Sequence, residues 1–107
     1  MPKYLIHASY TADGARGLLK SGGTARRRAV EELLTPLGGK LEAFYFTFGD
    51  EDAILIIDLP DQVAATAIGL AVSASGSMRT RSTVLIPPEE VDEAIKRPVK
   101  FHPPGSE

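Results

Sequence analysis

The chain has 107 residues, a formal net charge of −2 and an apolar fraction of 43%, ordinary values for one globular domain. A pI near 5.7 lacks the basic excess of a nucleic-acid-binding surface. The absence of cysteine removes disulfide and thiolate chemistry, and no apolar run approaches a membrane span.

Tyr4-Leu5-Ile6-His7-Ala8-Ser9-Tyr10 reads as a strand whose more apolar side, Tyr4, Ile6, Ala8 and Tyr10, faces the core. Met1-Pro2-Lys3 leads straight into it without the pattern of a signal peptide, so a cytoplasmic location is expected. Asp13 is expected to cap a short helix carrying Ala15, Leu18 and Leu19 that stops at Gly22-Gly23. Thr24 then caps a second helix with Val30, Leu33, Leu34 and Leu37 at core spacing, ended by Pro36 and Gly38-Gly39. Residues 12–37 therefore form one broken helical layer.

Leu41 to Phe48 alternates Leu41, Ala43, Tyr45, Thr47 with Glu42, Phe44, Phe46, Phe48 and predicts a strand. Gly49-Asp50-Glu51-Asp52 is a hairpin connection, and the nearly all-apolar Ala53 to Leu59 predicts a central strand buried on both faces. Asp61 caps a helix over residues 62–72 rich in small residues, where Gly69 suggests a close packing contact. Ser73 to Ser77 is a turn and Arg79 to Ile86 a fourth strand. Pro87-Pro88-Glu89-Glu90 opens a last short helix, and a proline-rich stretch over residues 98–107 forms an extended tail.

The order β-α-β-β-α-β predicts an α+β, ferredoxin-like domain over residues 1–97, with a four-stranded antiparallel sheet and an extra C-terminal helix. Both helices of that fold lie on one side of the sheet. The strands are apolar on both sides, so the uncovered face predicts self-association into a dimer or larger oligomer.

The segments Tyr4-Leu5-Ile6-His7-Ala8-Ser9-Tyr10-Thr11, Gly38 to Phe46, Phe48-Gly49-Asp50-Glu51-Asp52, Leu59-Pro60-Asp61 and Arg79-Thr80-Arg81-Ser82-Thr83 resemble the GYD domain family. The family's Gly-Tyr-Asp signature is replaced here by Gly49-Asp50-Glu51-Asp52, with Glu51 where the family has Tyr. The resemblance implies a small bacterial-type domain similar to the dimeric α/β barrels. It carries over no activity and no catalytic residues.

Five residues form the candidate ligand-binding set: His7, Tyr45, Asp58, Arg79 and Arg81. A histidine such as His7 paired with Asp58 on a neighbouring strand is a residue combination suited to general acid–base work; strand-end hydrogen bonding is the competing account. Arg79 and Arg81 project together, as suits a carboxylate or phosphate, or as edge-strand charges that block aggregation. Tyr45 and Tyr10 fit a cavity lining or simply the core. Arg26-Arg27-Arg28 is a solvated helix face, with Arg27–Glu31 and Arg28–Glu32 as i,i+4 pairs and Arg26 left over. Gly22-Gly23-Thr24 lacks a phosphate-loop pattern, Ser73 to Ser77 lacks a nucleophile elbow, and two histidines without cysteine do not build a metal site.

The expectation is a homo-oligomer that needs no cofactor or metal and binds a small, anionic ligand between facing sheets. It would have no nucleic-acid or membrane partner. The alternatives are a cofactor-free enzyme of the dimeric α/β barrel type using His7, and a purely structural assembly in which the tail clasps a neighbour.

Overall fold

Alternating side chains make Lys3–Tyr10 the strand β1, with Tyr4 and Ala8 buried and the residues between them half-buried. The computed structural model describes residues 1–106; Glu107, the end of the expected tail, lies outside the described residues. After β1 come the helices α1 (Ala12–Ser21) and α2 (Gly23–Leu34), a 3-10 turn over Thr35–Leu37, and the strands β2 (Lys40–Phe46) and β3 (Ala53–Asp58). Helix α3 (Gln62–Ser75), strand β4 (Met78–Leu85) and helix α4 (Pro88–Ile95) complete the order. The sheet runs β2-β3-β1-β4 with every neighbouring pair antiparallel, the expected ferredoxin-like α+β arrangement.

The core lies between one sheet face and helices α2 and α3. Tyr4, Ala8, Ala53, Leu55 and Ile57 from the sheet meet Val30 and Leu34 of α2 and Ala64 of α3. Leu34 and Leu59 are each 1% exposed, and burying a side chain of that size contributes roughly 1.5–3 kcal/mol. Helix α1 adds little: Leu18 is half-buried, whereas Leu19 of the expected core set faces solvent.

Two helix starts differ from expectation because the chain offers a better acceptor or none. Thr11, not Asp13, caps α1 by accepting a hydrogen bond from the Gly14 amide, which leaves Asp13 in the first turn to pair with Arg16. The Thr11 hydroxyl also meets the Gly76 carbonyl at 2.8 Å, tying α1 to the turn before β4. Gly22, not Thr24, precedes α2; its φ of 85° breaks the chain between two helices where a side chain would be strained. Asp61 caps α3 as expected, and α3 continues through Ser75 to a left-handed Gly76.

In β2 the expected alternation fails at one point. The register shifts between Leu41 and Ala43, so Glu42 is an extra residue. Leu41 therefore pairs with Ile57 on the core side together with Phe44 and Phe46, while Ala43 and Tyr45 turn to the other face. Phe44 and Phe46 pack edge to face at 5.1 Å. In β3, Ala53, Leu55 and Ile57 are buried, but Ile54 and Ile56 are only half-buried in the single chain. Gly69 has no neighbour within 4 Å of an added Cβ, so it marks space rather than a close contact.

Candidate functional site

The register fixes what stands together on the helix-free face. Across the sheet, Tyr45 pairs with Ile54, Ile54 with His7, and His7 with Arg81. Three strand spacings make this row about 14 Å wide. The next row is Ala43, Ile56, Leu5 and Thr83, and the last is Lys40, Asp58, Lys3 and Leu85. Arg79 stands opposite Ser9, one step beyond the His7 row. One end of the face thus carries a histidine, an exposed tyrosine and two arginines, and the middle is apolar.

The expected His7–Asp58 pair does not form. Asp58 is opposite Lys3, four residues from His7 and about 13 Å along the strand. It accepts a hydrogen bond from Lys3 Nζ at 2.8 Å, and Glu42 accepts from the same ammonium at 2.7 Å. Asp58 therefore belongs to a Lys3-centred ion cluster at the far end of the face.

The carboxylate beside His7 is Glu51. Its Oε1 lies 3.5 Å from His7 Nδ1 and accepts a hydrogen bond from Arg81 Nη2 at 2.6 Å. The His7 side chain is 18% exposed and its Nδ1 is buried without a hydrogen bond. Arg81 remains 64% exposed, and Arg79 has no ion-pair partner among the described residues.

A pinned loop places Glu51. The Thr47 amide donates to the Asp52 carbonyl at 2.8 Å, and the Thr47 hydroxyl to the Glu51 carbonyl at 2.9 Å. Asp52 in turn closes the end of β1: its amide donates to the Ala8 carbonyl and its carboxylate accepts from the Tyr10 amide, both at 2.8 Å. The loop that carries the signature thus extends the sheet by one contact and swings Glu51 over its open face. Glu51 was visible in the sequence only as one of three acids in a hairpin; its reach to β1 depends on the Asp52 anchor.

Tyr10 lies on the opposite, core side. Its phenol is pushed above the ordinary 10.0, first by burial and further by the Asp52 charge, with the Arg26 guanidinium opposing. Lys3 is held above the ordinary 10.5 chiefly by its hydrogen bonds to Asp58 and then Glu42. Both shifts favour the protonated side chain in the folded state. Their contribution is present below the unfolded values and is lost as the pH climbs from about 10 through the raised folded values. Thermal melts between about pH 9 and 12 should show stability falling, and Tyr10→Phe should make that fall shallower.

Among the described residues no group of three His, Cys, Asp or Glu could hold a metal ion, and no helix is long and apolar enough to cross a membrane. The sequence model of the GYD domain family matches residues 4–95, so the chain belongs to that family. No curated protein and no solved structure matches the chain.

Proposed function

For this member of the GYD domain family, we propose a homo-oligomer that binds a small anionic ligand between facing sheets, with His7, Tyr45, Arg79 and Arg81 as the ligand-facing groups. The observation that carries the reading is the composition of the helix-free face. Leu5, Ile54 and Ile56 are half-buried there and Tyr45 is 71% exposed, an apolar patch without cover in the single chain. The same face bears Arg79 with no carboxylate partner among the described residues, a group suited to a carboxylate or phosphate. Asp58, already engaged by Lys3, stays outside the ligand-facing set.

Native mass spectrometry of gently purified protein tests both halves of the reading. The expected result is an oligomer with added small-molecule mass, and that mass should be lost in Arg79→Ala/Arg81→Ala. A monomer at micromolar concentration would sink the proposal. An oligomer from which the double variant removes no mass would sink its ligand half.

A second reading is supported by the spacing of His7 and Glu51. A carboxylate beside Nδ1 favours the tautomer that leaves Nε2 free to take a proton, the arrangement of a general base in a cofactor-free enzyme. The two readings part at His7→Gln. Loss of turnover with retained ligand mass supports catalysis; loss of the mass alone makes His7 a binding group.

A further inference from the structure

Beyond β4 the described chain runs on in a segment that the sheet and the other helices leave exposed. Every residue from Ile86 to Ser106 is exposed, including the large apolar side chains Ile86, Val91, Ile95, Val99 and Phe101. A compact chain of this length has a radius of gyration of about 13 Å. Here it is 17.5 Å, with a longest extent of 58 Å, as a projecting arm produces. Helix α4 within the arm is amphipathic: Val91 and Ile95 share one side by their i,i+4 spacing, while Glu89, Glu90, Asp92 and Glu93 supply four acids and no base.

The helix-covered side of the sheet offers the complementary surface. Beyond Met78, which packs against the core, helices α2 and α3 leave much of β4 open, with Thr80, Ser82 and Val84 exposed on that side. Between them lies a furrow with a volume of about 90 Å3, lined by Val30, Leu33, Ile68, Gly69 and Val72 and bordered by Arg26. Arg26 begins the chain's basic run, and Arg27 and Arg28 stand exposed beside it. The expected pairs Arg27–Glu31 and Arg28–Glu32 do not close, and none of the three arginines joins an ion pair among the described residues. Arg26 borders the apolar furrow while its side chain also meets the Tyr10 phenol. Arg27 and Arg28 add exposed positive charge on the same helix, and this surface matches an apolar seam flanked by carboxylates.

We propose that the arm of one chain docks on a second copy, with Val91 and Ile95 in the partner's α2–α3–β4 furrow and the α4 acids against its Arg26–Arg28 run. The arm cannot readily serve its own furrow, because Ile86-Pro87-Pro88 stiffens its base: Pro87 holds φ −62° and ψ 147°, the extended polyproline geometry that carries α4 away from the sheet. Arm exchange uses the helix side and leaves the open sheet face free for the contact proposed above.

Charge reversal tests the contact on the full chain. Glu89→Arg/Glu90→Arg/Glu93→Arg alters only exposed arm residues, so the fold stays intact while the dissociation constant of the oligomer rises at least about tenfold. Arg26→Glu/Arg27→Glu/Arg28→Glu should do the same, and combining both sets should bring the constant back to within a few-fold of the parent. Reversals without effect, or without mutual rescue, overturn the proposal. A Leu33→Cys/Ile95→Cys chain treated with a bismaleimide linker separates the two possible owners of the furrow, since the parent has no cysteine. A product of twice the chain mass is expected; an internal link at single-chain mass, or no link, overturns arm exchange. Neither readout involves Ile54 or Ile56, so failure here is distinct from failure of the sheet-face contact.

Discussion

Gly14→Ala is expected to destabilise the domain by roughly 3 kcal/mol, although alanine is the better helix former. A Cβ at Gly14 would lie 1.9 Å from the Ser77 carbonyl oxygen and 3.0 Å from its carbon. Both are backbone atoms, so no side-chain rotation relieves the clash. The same contact region holds the Thr11 amide's hydrogen bond to Ser77 O at 3.0 Å and the Thr11 hydroxyl's contact with Gly76 O. Pushing α1 away therefore costs packing and hydrogen bonds together. For a domain of this size that loss should lower the melting temperature by more than about 10 °C. Gly17→Ala is the internal control: it lies in the same helix with nothing within 4 Å of its added Cβ, so it should stabilise by up to ~1 kcal/mol. Equal melting temperatures for the two variants would show that α1 does not rest on the Ser77 turn as described.

Much of this architecture was legible along the chain because its signals are local. The alternation of β1, the Asp61 cap, the β3 run and the Pro87-Pro88 start of α4 all act within a few residues. What escaped depended on distant partners. The bulge at Glu42 changes which face Leu41 occupies, and only pairing with β3 reveals it. Thr11 outcompetes Asp13 because the Gly76–Ser77 turn, far along the chain, offers its hydroxyl a second contact. Four of the five candidate site residues gather at one end of the open face: alternation along one strand puts Arg79 beside Arg81, but only the β1–β4 register sets His7 opposite Arg81. The fifth, Asp58, shares only strand adjacency with His7, and the β1–β3 register sets the two about 13 Å apart. Glu51 fills the place beside His7 from a loop whose path no periodicity encodes.

Ile56→Glu, made in a parent chain that carries Glu89→Arg/Glu90→Arg/Glu93→Arg to remove the arm contact, is expected to give a folded monomer. Ile56 sits at the centre of the open face, flanked by Leu5 and Ala43, and is half-buried in the isolated chain. In that setting a glutamate can reach solvent, so the loss within the domain is limited to strand preference, about 1 kcal/mol or less. Between two sheets the same carboxylate loses its water. Of the two bases in the adjoining row, Lys3 already serves Asp58 and Glu42, and Lys40 is an exposed edge-strand residue whose ammonium would have to be desolvated to pair with it. Burying an unpaired carboxylate costs roughly 3 kcal/mol or more, and a two-fold assembly incurs it on both chains. Dissociation should therefore strengthen by a factor of at least about 10³. Light scattering coupled to size exclusion reads the mass, and circular dichroism confirms the fold. Leu19→Glu, at an 87% exposed position on α1, should change neither. If Ile56→Glu keeps the parent mass, the sheets do not pack face to face, and the candidate site opens to solvent rather than to a partner.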